Sequence, residues 1–158
     1  MKKGILLLTM ITTLAAGSAF GWGIGASYNL NFLDSATPGA ALTFKLDNLP
    51  LISIAGRFGS NLLSLGLTAD WWLYQQALGG TSVNLYAGVG GYGSLTMFGN
   101  NAYLDGGVRV PIGINIFPVK FLELFVEIAP ALGITLSDPI VFPNFGVQGA
   151  FGLRFWFK

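Results

Sequence analysis

The chain has 158 residues, enough for one domain, and 9% of them are charged, against roughly 25% in an ordinary soluble protein. Eight basic and seven acidic residues give a formal net charge of +1, so the composition indicates neither nucleic acid nor an anionic surface as a partner. Cysteine and histidine are both absent, which excludes disulfides, the common zinc sites and serine–histidine catalysis.

The first 19 residues are typical of a secretory signal peptide. Lys2-Lys3 forms a basic tip, an apolar run covers 4–16, and Gly17-Ser18-Ala19 supplies small residues before a cleavage site. The apolar run is too short to span about 30 Å of hydrocarbon, and an uncleaved anchor is the alternative. We expect cleavage after Ala19 and a mature domain over 20–158 with six basic and seven acidic residues.

From residue 20 onward, short apolar runs alternate with segments rich in glycine, proline, asparagine and aspartate, as in β-strands joined by turns. Hydrophobic residues make up 53% of the chain, but no later apolar stretch reaches the length of about 18 residues that a spanning helix needs. Only a closed β-barrel satisfies every backbone polar group in lipid without helices. The predicted strands lie at 20–33, 39–47, 50–58, 62–74, 82–96, 103–115, 121–136 and 144–157.

The period of these runs distinguishes a membrane barrel from a soluble one. In the fourth, sixth and eighth runs, bulky apolar residues occupy one face, while glycine, small polar residues and the charges occupy the other. A soluble lipocalin-like barrel would have an apolar interior and a charged outside, whereas an apolar outside and a polar interior are the transmembrane pattern. The sequence therefore predicts an all-β, eight-stranded antiparallel up-and-down transmembrane β-barrel.

The seventh run contains Glu123 and Glu127 within an otherwise apolar stretch. A helix here would have Pro130 in its interior, at a cost of roughly 3 kcal/mol or more, so we interpret the run as a strand with both glutamates facing inward. Residues four apart on a strand are about 13 Å apart, too far for the paired carboxylates of a glycosidase. A structural role for the two glutamates is favoured.

We expect the inward glutamates to join an interior charge network of Arg109, Glu123, Glu127 and Arg154. A short turn at 117–120 would bring Arg109 opposite Glu127 or one diagonal step away. Pairing Leu136 with Phe145 across the next loop would set Glu127 opposite Arg154. This predicts that Glu127 lies between two guanidinium groups, whereas Glu123 reaches water or Lys158 and matters less.

Two further patterns concern the interior. The stretch "GVGGYG", residues 88–93, matches a dinucleotide-binding fingerprint, but the strand continues after it and offers no helix N-terminus for a phosphate. We interpret it as small residues at a crowded barrel wall. Among the aromatic residues near strand ends, Trp72, Tyr74 and Trp156 have inward parity and are expected to fill the interior.

The ending "GAFGLRFWFK" resembles the C-terminal signal of outer-membrane barrels, in which Gly152 is followed by outward Phe155 and Phe157. The stretches at 65–74, "LGLTADWWLY", and 108–134, "VRVPIGINIFPVKFLELFVEIAPALGI", resemble a spirochaete-type family of small outer-membrane β-barrel proteins of unknown function. More distantly, the chain is similar to the OmpA, OmpX and OmpW barrels. The resemblance implies a bacterial outer-membrane location, with lipid and the barrel-assembly machinery as partners, and no active site to carry over.

The leading interpretation is a small outer-membrane barrel with a structural or surface-interaction role and an interior plugged by side chains, not an enzyme. With both termini periplasmic, the short segments 34–38, 59–61, 97–102 and 137–143 would lie outside the cell. Ile140, Val141 and Phe142 are the candidate contact with an external protein, unless they only pack over the barrel mouth. The alternative is a channel or transporter for small apolar molecules, with room left by inward glycines. No catalytic residue, cofactor or metal ligand is predicted.

Overall fold

The computed structural model describes residues 21–33, 39–46, 49–79 and 82–157, and the expected signal peptide lies outside these ranges. The strands are β1 (Trp22–Leu33), β2 (Gly39–Leu46), β3 (Leu51–Phe58), β4 (Leu62–Ala77), β5 (Val83–Phe98), β6 (Asn101–Arg109), β7 (Ile112–Val119), β8 (Leu122–Leu136) and β9 (Val141–Phe157). Within these described ranges, no helix is long and apolar enough to cross a membrane.

The strands form one antiparallel sheet that closes on itself. Neighbours in sequence pair in order from β1 to β5, and β8 pairs with β9. The ring closes where β1 pairs with β9. Because β6 and β7 both pair with β5 on one side and β8 on the other, they share one position in the ring. The result is the predicted eight-stranded up-and-down barrel.

The predicted sixth strand is interrupted at Val110 and Pro111, which separate β6 from β7. Proline has no N–H to donate to the ladder, so the strand is broken at this point. The wall nevertheless stays hydrogen-bonded across the break, because Gly88 N donates to Pro111 O and Val110 N donates to Pro130 O, both at 2.9 Å. The interruption is therefore local and does not open the barrel.

The alternation along β8 shows how side chains divide between the two faces. From Glu123 to Ile134, buried and exposed residues alternate without interruption. The exposed residues are bulky and apolar, such as Leu124 and Val126, and the buried ones include both glutamates. An apolar outer face around a polar interior is the arrangement of a barrel that crosses a membrane.

The barrel has two distinct ends. The terminal end carries the beginning of β1 and the end of β9. The loop end, opposite, carries the connections from β1 to β2, β3 to β4, β5 to β6 and β8 to β9.

A β-bulge between Trp72 and Tyr74 changes the predicted orientation of one aromatic residue. Tyr74 lies opposite Ala87, is 48% exposed, and its hydroxyl donates to the Gln76 side chain. The prediction that Tyr74 faces inward is wrong, because one inserted residue moves every later side chain to the other face. Trp72 precedes the bulge and points inward, where its ring stacks on Tyr86 at 4.5 Å.

Outward aromatic rings cover the closing seam at the terminal end. Trp22 of β1 lies opposite Phe157 of β9, and the two rings stack with their centroids 4.3 Å apart. Phe155 stacks on Phe121 from the neighbouring hairpin at 6.5 Å. Of the two phenylalanines of the predicted assembly signal, Phe157 therefore packs the join between the first and last strands, and Phe155 packs against the turn between β7 and β8.

Candidate functional site

The interior of the barrel buries an equal number of basic and acidic side chains. Among the described residues these are Lys45, Asp70, Arg109, Glu123, Glu127 and Arg154. A buried charge without a partner costs several kcal/mol, so their arrangement in pairs decides whether the interior is stable. Five of the six form two separate groups, while the Lys45 ammonium donates to the backbone oxygens of Leu46 and Leu49.

The middle cluster is centred on Arg109 and consists of Asp70, Arg109, Glu127 and Gln148. The Arg109 Nε lies 3.0 Å from Asp70 Oδ1, and its Nη2 forms an ion pair with Glu127 Oε1. Its Nη1 donates to Gln148 Oε1 at 2.5 Å. The second Glu127 oxygen accepts a hydrogen bond of 2.9 Å from the hydroxyl of Tyr86. One guanidinium thus lies between two carboxylates.

The terminal cluster is centred on Glu123 and consists of Asn115, Glu123, Arg154 and Trp156. Arg154 Nη1 donates to both Glu123 oxygens at 2.9 Å. Asn115 Nδ2 donates to Oε1 at 2.7 Å, and Trp156 Nε1 donates to Oε2 at 2.6 Å. The Glu123 and Arg154 side chains are both fully buried. This carboxylate has more donors around it than Glu127 has.

The structure corrects the predicted registers around the glutamates. Arg154 lies opposite Glu123, and Phe145 lies opposite Leu132 rather than Leu136. The prediction that Glu127 lies between two arginines is therefore wrong, as is the expectation that Glu123 reaches water; Lys158 lies outside the described residues.

Arg109 lies opposite Ala131, four residues along β8 from Glu127, and only its long side chain reaches that carboxylate. The predicted contact between Arg109 and Glu127 is present, but the predicted backbone pairing is not.

Aromatic rings enclose the Arg154 guanidinium. Its Cζ lies 4.0 Å from the centroid of the Phe125 ring and 5.2 Å from that of Trp72, which in turn stacks on Tyr86. Cation–π contacts of this kind are strongest when they are shielded from water. We call Trp72, Tyr86, Phe125 and Arg154 the aromatic–arginine layer.

Inward glycines lie beneath large side chains from neighbouring strands. A Cβ added at Gly133 would be 3.1 Å from Tyr92 Cζ, one at Gly23 would be 3.2 Å from the Trp156 ring, and one at Gly113 would collide with Tyr86. The space that a larger side chain would take at each of these positions is occupied by an aromatic ring from a neighbouring strand.

A cavity of about 30 Å³, lined by both polar and apolar residues, lies against the middle cluster. Its lining includes Asn29, Asn31 and Ser53 as well as all four side chains of that cluster. A cavity of this size has room for about two water molecules.

Sequence reasoning missed several members of these groups. Asp70 and Asn115 have inward parity, so the period of two placed them in the interior, but no local signal pairs Asp70 with an arginine 39 residues away. The hydrogen bond of Tyr86 to Glu127 likewise passes over Gly113 of the intervening strand β7, so it depends on how the strands pair. Among the described residues, no group of three or more acidic, histidine or cysteine side chains could hold a metal ion.

The other two predicted sites lie on the surface. Ile140, Val141 and Phe142 are exposed at the loop end, and Val141 and Phe142 belong to β9 rather than to the loop. Phe155 and Phe157 are exposed at the terminal end, and Gly152 faces inward over Ser27. The stretch 88–93 lies wholly within β5, with no helix after it.

No protein-family model matches the chain, and no curated protein matches it. The solved structures that resemble it at low identity include the following three. The N-terminal β-barrel domain of OprF from Pseudomonas aeruginosa is 12% identical with a TM-score of 0.55, and the match covers 87% of this chain and 97% of that domain. The chain is an outer-membrane-type β-barrel in fold.

Neisserial surface protein A is 14% identical, with a TM-score of 0.48 and coverage of 89% and 97%. Ail, the attachment invasion locus protein of Yersinia pestis, is 12% identical, with a TM-score of 0.33 and coverage of 87% and 97%. At these identities the likeness concerns the fold alone.

Proposed function

We propose that the protein is a small barrel of the bacterial outer membrane with a structural or surface-interaction role, and that side chains close its interior. The observation that carries the proposal is the aromatic–arginine layer, which crosses the interior together with the hydrogen-bonded Glu123. Its members come from β4, β5, β8 and β9, so it reaches across the ring rather than lining one wall.

The occupied glycines weigh against the channel alternative. A transporter for small apolar molecules would need a continuous apolar lumen, and the inward glycines were the feature that could provide it. Rings of Tyr86, Tyr92 and Trp156 fill that space instead, and the cavity of about 30 Å³ contains the charged side chains of the middle cluster in its lining. No catalytic role is proposed.

The proposed location rests on the outer face of the barrel. Its exposed residues are predominantly large and apolar on every side, as lipid contact requires. The likeness in fold to bacterial outer-membrane barrels supports the same location. We orient the barrel with its terminal end toward the periplasm and its loop end toward the outside of the cell. The barrel-assembly machinery would recognise Gly152, Phe155 and Phe157.

The contact that we propose for an external protein is the exposed apolar group Ile140, Val141 and Phe142. Ile140 is 63% exposed and Phe142 is 69% exposed, so neither is covered by the barrel mouth. Apolar residues at the rim of a membrane protein can contact either lipid or a protein, and only a binding measurement separates the two.

A pull-down from envelope and host-surface extracts tests this contact. The purified barrel is compared with an Ile140→Ser/Phe142→Ser variant and with a Phe58→Ser variant, which alters an even more exposed ring elsewhere at the loop end. We expect a partner that is lost with the double variant and retained with Phe58→Ser. Equal recovery by all three proteins would remove this surface from the proposal.

A further inference from the structure

The cavity beside the middle cluster extends toward the loop end. Asn31, near the end of β1, lines it, and so do Asn29 and Thr68. All three are only half-buried, although their side chains face the interior. Because these three polar side chains line the cavity and are still partly exposed to solvent, the cavity communicates with solvent.

Two deeply buried polar atoms in this lining have neither a hydrogen-bond nor an ion-pair partner among the described residues: Thr43 Oγ1 and Gln148 Nε2. Thr43 is 3% exposed and Gln148 is 4% exposed, and they belong to different strands, β2 and β9. Buried polar groups in native proteins are almost always hydrogen-bonded, either to protein or to ordered water. A hydroxyl and an amide N–H in the lining of one small cavity are partners for water.

The opposite side of the cavity is closed. Tyr86, Asn115, Glu123 and Arg154, which lie toward the terminal end, are fully buried. Each is hydrogen-bonded to another of the four or to the middle cluster, Arg154 through its Nη1 alone. Water that enters from the loop end therefore reaches the middle cluster but does not pass the aromatic–arginine layer toward the terminal end.

We propose that the half of the barrel nearer the loop end is a blind hydrated pocket, which admits water and solutes of similar size from the loop end only. Its floor is the middle cluster, and its buried ligand atoms are Thr43 Oγ1 and Gln148 Nε2. This inference rests on the proposed closure of the interior and adds that the closure is confined to one half. The ion pairs of Arg109 are then in contact with the medium outside the loop end, whereas the Glu123–Arg154 pair is not.

Silver ions test the pocket, because Ag⁺ is about the size of water and binds thiolates. The chain has no cysteine, so each single-cysteine variant reports one position. Ser53→Cys places a nearly isosteric thiol in the pocket lining, and Asn115→Cys places one among the fully buried residues beyond its floor. Each folded barrel is exposed to Ag⁺ and quenched, and its remaining thiol is counted with maleimide after denaturation.

We expect Ser53→Cys to react at least tenfold faster than Asn115→Cys. Equal protection of both thiols would show that the pocket is sealed and would overturn the proposal. Equal rapid reaction of both would show that water passes the aromatic–arginine layer, which also overturns it. Ser27→Cys, which is a second nearly isosteric position in the lining, repeats the comparison if either variant folds poorly.

A matched pair of tryptophan substitutions tests the direction of entry. In the Ser53→Cys background, Asn31→Trp narrows the loop end, and Asn84→Trp makes the same change near the terminal end, where Asn84 hydrogen-bonds to Asn115. We expect Asn31→Trp to slow the silver reaction at least tenfold and Asn84→Trp to leave it unchanged. The reverse result, or no effect of either, would contradict entry from the loop end.

The two proposals fail in different ways. Steady ion conductance by the unmodified barrel would overturn the closed interior. A protected Ser53→Cys thiol in a non-conducting barrel would overturn only the hydrated pocket.

Discussion

Replacement of Glu123 by alanine is predicted to destabilise the barrel more than replacement of Glu127. Without Glu123, the fully buried Arg154 guanidinium loses the only carboxylate that pairs with it among the described residues. A buried charge stranded in this way costs about 3–5 kcal/mol. The donors of Asn115 and Trp156 lose their acceptor at the same time.

The cost of Glu127→Ala is smaller because Arg109 keeps other partners. Asp70 lies 3.0 Å from its Nε, and the Gln148 side chain accepts from its Nη1 at 2.5 Å. The main loss is the acceptor of the Tyr86 hydroxyl, and an unsatisfied buried donor costs about 1–3 kcal/mol. The two variants should therefore differ by at least about 1 kcal/mol, in the order opposite to the one that the sequence predicted.

Equilibrium urea unfolding in lipid bilayers measures both variants against the unmodified barrel. An additional Glu123→Ala/Arg154→Met variant removes the stranded cation while it keeps an apolar chain between Phe125 and Trp72. We expect this double variant to be more stable than Glu123→Ala alone. A loss for Glu127→Ala that equals or exceeds the loss for Glu123→Ala would refute the assignment of Arg154 to Glu123.

Two further predictions use matched pairs and the same unfolding measurement. Gly107→Ala would place a Cβ against the backbone of Leu132 and Gly133 and should cost about 1–3 kcal/mol. Gly106→Ala, whose Cβ would have its nearest neighbour at 3.6 Å, should be nearly neutral. Similar losses for the two variants would mean that the predicted inward and outward faces of β6 are wrong. Tyr86→Phe removes the 2.9 Å hydrogen bond to Glu127 and should cost about 1–2 kcal/mol. Tyr92→Phe removes a hydroxyl that has no hydrogen-bond partner among the described residues, so it should cost less. The opposite order would contradict the contacts of the middle cluster.

The faces of the strands could be predicted from the sequence because the period of two is a local property. Every charge expected in the interior lies there, since burial of one face fixes the parity of each strand. The period of two predicted the wrong face for Tyr74 because of the β-bulge between Trp72 and Tyr74. Trp72, Leu73 and Tyr74 are all bulky, so their side chains do not indicate where the strand changes face.

Register could not be predicted, because it depends on where each connection ends. We expected the last loop to extend to residue 143, but β9 begins at Val141. A further irregularity lies between Gly133 and Thr135, and together these features moved the pairing of β8 and β9 by four residues. That displacement replaced Glu127 with Glu123 as the partner of Arg154. The contact of Asp70 with Arg109 likewise passes over Gly90 of the intervening strand β5 instead of joining adjacent strands.

Planar-bilayer recording of the unmodified barrel tests the closed interior most directly. We predict no reproducible discrete conductance, because the aromatic–arginine layer and the Glu123 hydrogen bonds block the path between the two ends. A Trp72→Ala/Tyr86→Ala variant, which removes the two stacked rings, should show openings under the same conditions and serves as the positive control. Discrete, reproducible openings of the unmodified barrel would contradict a closed interior.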